Sequence, residues 1–254
     1  MPVERDWVDC PVCMNRVFGE PVKLSPQQES CRNNVPDELP YLGCLSCGLW
    51  IQPDPPDFRY EAEDEAGIRK ESMLEEKGHY EWLSNRLCAE YKPQSVLDIG
   101  SNYPIMLQHM HEVNGVPRIL AIDGCMKLVD YARELGVPYV HDDFLDYTFL
   151  ESENEINFDM ITMVHVIEHF TNPMLAVLKM KKLLKPGGRV FIRTPLNDTE
   201  GLTRWHLTKY HLQVHPIVFG QHSIKKLFQT AGFKLLKESV GNGVGHGDYD
   251  FQAR

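Results

Sequence analysis

SVLDIGSNYP, residues 95–104, carries the clearest structural signal in this chain. Its first five residues form a nearly continuous apolar run ended by a glycine, the form of a strand buried on both faces of a parallel sheet. RILAID at 118–123 has the same form, and INFDMITMVHV at 156–166 and RVFIRTP at 189–195 supply two more such runs. Apolar residues at helical spacing fill the intervals 105–113, 126–135 and 173–184. This alternation predicts an α/β fold with a doubly wound, largely parallel sheet. In LLKPGGRVFI, residues 183–192, Lys185 closes a helix while Pro186, Gly187 and Gly188 turn the chain into the next strand. Further on, HSIKKLFQTAGF at 222–233 reads as an amphipathic helix ended by Gly232, and FKLLKESV and DYDFQAR read as a closing pair of strands.

Cysteines, prolines and polar turn residues crowd the first fifty positions, which marks a separate module at 1–51. QPDPPDFRYEAEDEAG follows at 52–67; its prolines block regular structure and its acids keep it solvated, so 52–92 reads as an acidic linker with one or two helices and 93–254 as the α/β domain. The chain has 254 residues, 43% hydrophobic and 24% charged, enough to bury a sizeable core. Acidic residues outnumber basic ones by 36 to 26, for a formal charge of -10, and this field repels phosphodiester backbones. Nucleic acid is thus disfavoured as a partner. No run reaches the roughly 18–20 apolar residues of a membrane span. MPVERDWVDC lacks the apolar core of a secretory signal, so a cytoplasmic protein is expected. Composition leaves the oligomeric state open.

In an open parallel sheet, ligands bind beyond the carboxyl ends of the central strands. After the first strand, Gly100 permits a tight turn and close approach to a ligand, Asn102 is placed to cap the following helix, and Pro104 is tolerated in its first turn. Asp123, at the end of the second strand, is placed to accept hydrogen bonds from the two hydroxyls of a ribose. A dinucleotide fingerprint needs three glycines against a pyrophosphate, and here Gly100 stands alone. S-adenosylmethionine has no pyrophosphate and remains compatible with the loop. VLDIG, AIDG, FDMITMVHVIEHFTNP and LLKPGGRVFIRTP, in this order, resemble the successive motifs of the class I S-adenosylmethionine-dependent methyltransferases. The resemblance covers residues 95–254 and implies a Rossmann-like methyltransferase sheet. It implies that Asp98, Gly100, Ser101 and Asn102 flank the methionyl end of the cofactor, that Asp123 and Gly124 lie at the ribose, that Asp143 and Phe144 lie near adenine, and that His165 lines the methyl-transfer cleft. Ser101-Asn102 recurs in members that methylate sugars. Where the family usually has glycines, this chain has Asn102 and Pro104, with the bulk of Tyr103 beside them. A non-catalytic, zinc-containing binding module with a degenerate cofactor loop is therefore the alternative from another functional class.

Cys10-Pro-Val-Cys13 and Cys44-Leu-Ser-Cys47 are two C-x-x-C turns about thirty residues apart. Four thiolates close a tetrahedral zinc shell and leave no open position, so Zn2+ here is structural, in a small four-cysteine zinc-ribbon module. Cys31, between the pairs, reads as a thiol outside the ligand set. Methyltransferases acting on sugars and surface-polysaccharide precursors resemble this arrangement.

His165, Glu168 and His169 stand at i, i+3 and i+4. The H-x-x-E-H string also matches an inverted zinc-protease motif, but that chemistry requires both histidines inside a long helix, whereas His165 ends a strand. The small-RNA 2′-O-methyltransferases offer a closer metal analogy, holding a divalent ion with a glutamate pair and a histidine in this loop and a histidine further on; here His165 replaces the first acid, and His211 or His215 would be the later ligand. An RNA-directed, metal-dependent O-methyltransferase is a further alternative, against which the acidic charge argues. RWHLTKYHLQVHPIVF at 204–219 occupies the place where the family covers its acceptor. Tyr210, His211 and His215, with His165 and His169, are the candidates for catalytic acid-base work, since histidine titrates near neutrality; Arg204 and Lys209 are candidates to hold an anionic group. The run Lys179, Lys181, Lys182 and Lys185 reads as an exposed helix face. The expected activity is methyl transfer from S-adenosylmethionine to a small polar acceptor, a sugar nucleotide or glycan precursor first and a quinone precursor next.

Overall fold

A computed structural model describes residues 8–17, 19–24, 36–55, 70–146, 157–199, 214–241 and 245–254. Its strands are β1 (Val8–Asp9), β2 (Arg16–Val17), β3 (Pro21–Lys23), β4 (Glu38–Gly43), β5 (Trp50–Ile51), β6 (Ser95–Ile99), β7 (Arg118–Asp123), β8 (Tyr139–His141), β9 (Phe158–Val164), β10 (Leu184–Pro195), β11 (Ile217–Val218), β12 (Phe233–Val240) and β13 (His246–Ala253). Its helices are α1 (Lys77–Tyr91), α2 (Ile105–Glu112), α3 (Leu128–Glu134), α4 (Pro173–Leu183) and α5 (Gln221–Thr230). The largest sheet runs β12-β13-β10-β9-β6-β7-β8. The described residues resolve into two compact units, one within 59–164, 179–191 and 252–254, the other within 1–58, 165–178 and 192–251.

In the first unit β6 pairs in parallel with β7 on one side and β9 on the other, setting Asp98 opposite Ala121 and Thr162. Every residue of β6 is buried, which explains its nearly continuous apolar run around Asp98. Leu83 and Leu87 of α1 and Met106, Leu107 and Met110 of α2 share one core with Val96, Ala121, Met160 and Phe191. The chain leaves β6 towards β7 and β8, then returns to place β9 on the opposite side of β6. Ligand sites of such sheets lie at this reversal, beyond the carboxyl end of β6.

Two elements differ from the sequence reading. β8 pairs in parallel with β7 through three residues, none of them buried, and so lacks an apolar run to announce it. β10 starts at Leu184, ahead of the expected turn, and absorbs Pro186-Gly187-Gly188. Gly187 has φ +76°, and a Cβ on Gly188 would lie 2.9 Å from the Lys185 carbonyl oxygen, so the glycines permit a kink within the strand.

In the second unit β1 pairs with β2, and a four-stranded sheet runs β11-β5-β4-β3. β11 joins residues far apart in the chain: Ile217 pairs with Ile51 and Val218 with Trp50, antiparallel. Val22, Leu24, Leu39 and Tyr41 form a small core, covered by Trp50 and Val218. Burial pushes the Tyr41 phenol upward in pKa, and its hydroxyl donates to the His215 carbonyl oxygen at 2.5 Å. Elsewhere α5 buries Ile224, Leu227 and Phe228, and the Phe228 ring stacks on Phe251 at 4.0 Å. Arg193 meets Asp248 with two parallel hydrogen bonds of 2.6 and 2.7 Å. Among the described residues no helix is long and apolar enough to cross a membrane.

Candidate functional site

Three clusters gather most of the candidate site residues that the structure describes. The first surrounds the loop after β6. Asp98 is 5% exposed, and Thr162 Oγ1 donates to its Oδ1 at 2.6 Å. Burial raises the Asp98 pKa to about 6, with Asp123 adding repulsion, although the Thr162 hydrogen bond works against both. Gly100, at φ +66°, donates its N–H to the Ile122 carbonyl at 2.8 Å. Asn102 is also left-handed, at φ +54°. Its expected cap on α2 does not form: Pro104 occupies the cap position without a side-chain bond. Instead the Asn102 N–H donates to Asp123 Oδ2 at 3.0 Å, and the Cys125 N–H donates to Asp123 Oδ1 at 2.9 Å. The loops after β6 and β7 are thereby tied through one carboxylate. Asn102 Oδ1 is buried without a hydrogen-bond partner, and Ser101 beside it is buried. Such an acceptor fits a ligand that brings a donor, as an α-ammonium group does.

Tyr103, bulky by sequence, packs in a cluster with Met73 and Ile105 and meets the Tyr131 ring edge-on at 5.8 Å. Gly124 is exposed, and an added Cβ there would meet nothing within 4 Å. Asp143 is exposed and accepts the Leu145 N–H; Phe144 is buried. Lys179, expected on an exposed face, is 5% exposed: its ammonium lies 5.2 Å from the Phe144 ring centroid and donates to the Leu145 carbonyl at 3.1 Å. The reason is its long stem, which carries the charge to a carbonyl while burying methylenes.

The second cluster follows β9. His165 is left-handed, at φ +56°, and donates its backbone N–H to the Arg193 carbonyl at 2.8 Å. A single 3-10 turn, Ile167–His169, presents Glu168 and His169. Glu168 is 1% exposed; Thr194 Oγ1 donates to its Oε2 at 3.0 Å, while Oε1 has no hydrogen-bond partner and lies 3.5 Å from His165 Nδ1. Burial alone would raise the Glu168 pKa, yet His165, His169 and His215 bring it down to about 2. His169 Nδ1 contacts the Val214 carbonyl at 2.7 Å, and the His169 and His215 rings lie 4.7 Å apart. His165 meets the His246 ring edge-on at 5.6 Å. His165, Glu168, His169 and His215 are thus brought together as a group. Tyr210, His211, Arg204 and Lys209 lie outside the described residues. Sequence reasoning misses Thr162 and Thr194, because a threonine inside a strand carries no mark of where its hydroxyl points.

The third cluster is the cysteine set. Cys10, Cys13, Cys44 and Cys47 place their sulfurs within 4.8 Å of one another, with Cys10 to Cys47 at 3.6 Å and Cys13 to Cys44 at 3.5 Å. Thiolates about 2.3 Å from a tetrahedral zinc ion stand roughly 3.8 Å apart, so this spacing fits a four-thiolate site. The contact with Cys47 lowers the Cys10 pKa and raises that of Cys47, so without a cation this pair shares one proton between a thiolate and a thiol. The two turns repeat one geometry: Met14 donates its N–H to the Cys10 carbonyl and Gly48 to the Cys44 carbonyl, at 2.9 and 2.8 Å, both in left-handed conformation. Asn15 Nδ2 donates to Ser46 Oγ at 2.7 Å and joins them. Glycine adopts this conformation freely and methionine does not. Met14 is 74% exposed, so Met14→Gly is expected to stabilise the turn by about 1 kcal/mol, read as a higher thermal midpoint. Cys31 lies outside the described residues.

A family model described as a methyltransferase domain matches residues 74–238. The ubiquinone biosynthesis O-methyltransferase of Xanthomonas euvesicatoria pv. vesicatoria (strain 85-10) is 32% identical over 128 residues, 47% of this chain and 49% of that protein. The chain spans about half the length of the curated relatives it matches. In fold it is similar to an O-methyltransferase family protein from Burkholderia thailandensis, with a TM-score of 0.61 at 15% identity over 74% of this chain and 59% of that one. It is also similar to the N-methyltransferase NodS from Bradyrhizobium japonicum in complex with S-adenosyl-L-homocysteine, with a TM-score of 0.52 at 15% identity over 70% and 87% of the two chains. Motif order, strand order and the match across residues 74–238 agree, and the chain belongs to the methyltransferase-domain family, that of the class I S-adenosylmethionine-dependent methyltransferases.

Proposed function

We propose that this chain binds S-adenosylmethionine at the loop after β6 and directs its methyl group to a hydroxyl oxygen of a small polar acceptor. The observation that most supports the cofactor half is Asn102 Oδ1, a buried acceptor with no partner, on a loop anchored by Asp123. When bound, the sulfonium supplies an electrophilic methyl group that needs no further activation. The chain's own work is then to bind, align and take up one proton. Asp98 and Asn102 offer oxygens to the α-ammonium group. Asp123 accepts two backbone N–H groups, and a carboxylate has about four lone-pair sites, so it retains capacity for ribose hydroxyls. Gly124 leaves room beside the ribose, and Asp143 and Phe144 border adenine.

His165 serves as general base: it is 38% exposed, and Glu168, held ionised, stabilises the imidazolium formed on proton uptake. His169 and His215 flank that carboxylate. The curated relatives' name favours oxygen as the accepting atom and a quinone precursor as acceptor. A sugar nucleotide is the second reading, supported by the cysteine module, whose Zn2+ would be structural.

Calorimetry with S-adenosylhomocysteine tests the cofactor half. Micromolar binding is expected, weakened at least tenfold by Asp123→Ala. His165→Ala is expected to leave that binding within twofold while lowering kcat by about 10²–10⁴. No heat at high micromolar concentrations of either S-adenosylmethionine or S-adenosylhomocysteine would overturn the proposal.

A further inference from the structure

We propose that the starting ends of β6, β9 and β10 carry a second binding site, separate from the loop after β6, for a small phosphate-bearing ligand. A cleft of about 240 Å3 opens there, between the end of α1, the turn into β6 and the first residues of β9 and β10, all within the first unit. It is smaller than the roughly 300–1,000 Å3 of a site for a drug-sized molecule, and so suits a compact ligand. Three cations line it, Lys92, Lys185 and Arg189, against one acid, Asp159. In a chain of formal charge -10 this is a local reversal of sign.

The acid is already satisfied. Asp159 Oδ1 accepts from the Lys185 ammonium at 2.9 Å, and its Oδ2 accepts from the Gln94 N–H and the Ser95 hydroxyl, each at 3.0 Å. Lys185 is thereby neutralised, whereas the side chains of Lys92 and Arg189 take part in no ion pair or hydrogen bond among the described residues. Arg189 is held by stacking instead: its guanidinium carbon lies 4.5 Å from the centroid of the Tyr91 ring. Stacking covers one face of the planar group and leaves its N–H edge for a fork of two hydrogen bonds to one anion. Two uncompensated positive charges match a phosphate group, which carries about −1.5 to −2 near neutral pH, better than they match a singly charged carboxylate. The five residues of β6 lie between this cleft and the cofactor loop, roughly 16 Å at about 3.3 Å per residue, so the two ligands do not compete for space.

The test titrates the purified full chain with glycerol phosphate and, separately, with inorganic phosphate, in about 150 mM sodium chloride to screen loose surface attraction. Saturable shifts of the amide resonances of Gln94, Gly187 and Arg189 are expected, with a Kd of about 1 mM or below, while those of Gly136 and Gly232 stay in place. Lys92→Met and Arg189→Met, which keep an apolar stem, are expected to weaken binding about tenfold, and Arg189→Lys nearly as much, because an ammonium cannot form the fork. Lys92 is exposed, so its substitution tests the site without threatening the fold. Saturating S-adenosylhomocysteine is expected to leave the affinity unchanged. Tighter binding of glycerol phosphate assigns the cleft to an organic phosphate, and equal binding assigns it to the free ion. No saturation by either probe at tens of millimolar, full affinity in both methionine variants, or displacement by S-adenosylhomocysteine overturns the proposal.

Discussion

With the proposed structural zinc in the cysteine cluster, Cys44→Ser is expected to release the ion and unfold β1–β5. Structural zinc contributes about 10–16 kcal/mol in small modules, comparable to the roughly 5–15 kcal/mol that holds a whole domain together. The strands concerned are two to six residues long, and one small cluster of four buried side chains, Val22, Leu24, Leu39 and Tyr41, lies among them. Nothing in such a core replaces the lost ion. Elemental analysis should show the loss of one zinc per chain. Hydrogen exchange should show lost protection at Leu42, Trp50 and Ile51, and also at Ile217 and Val218, which pair with them. The backbone of β6 and β7 should stay protected. Retained protection across residues 38–51 in a zinc-free variant would sink the structural role given to the metal.

Asp98→Asn is expected to act in the opposite direction on stability. With its pKa raised from 3.8 to about 6, Asp98 costs the folded state about 3 kcal/mol once ionised. The sign follows from linkage. Between pH 4 and pH 6 the folded chain binds more protons than the unfolded one, so the residue's contribution is fully present below pH 4 and lost as pH rises through 6. Asparagine keeps an oxygen for the Thr162 hydroxyl, 2.6 Å away in the native chain, and carries no charge. The variant should therefore melt on the order of 5–10 °C higher at pH 7–8, with the advantage gone by pH 4. Binding of S-adenosylhomocysteine should fall at least tenfold, because the buried charge is retained for a cationic ligand. A pH-independent difference in melting would show that burial does not perturb this carboxyl. Unchanged affinity would remove Asp98 from the cofactor site.

The sheet is legible in the sequence because its central strands announce themselves. VLDI and LAID lie in strands walled by neighbours on either side, and their apolar runs hardly admit another reading. The cysteine turns are equally plain, since their spacing encodes their geometry locally. What escapes the sequence depends on distant partners. Ile217–Val218 looks like part of a histidine-rich loop until Trp50–Ile51 pairs with it. Thr162 and Thr194 matter through hydroxyls aimed at carboxylates on neighbouring segments. Asn102 looks like a helix cap, but its left-handed backbone serves Asp123 instead. Periodicity puts Lys179 on a wet face, and a long stem lets it turn inward.

The pairing of β11 with β5 also bears on how the chain is made. Ile217 leaves the ribosome about 165 residues after Ile51, so at a typical synthesis speed the sheet beside the cysteine turns waits roughly 10–30 s for its last strand. Throughout that interval the backbone of Trp50 and Ile51 presents an open edge, a template for wrong pairing with another nascent chain. Early capture of zinc by the four cysteines would shorten that hazard by ordering the hairpin before its partner arrives. Slow growth in zinc-poor medium should accordingly cost this protein yield through aggregation during translation more than through instability once folded.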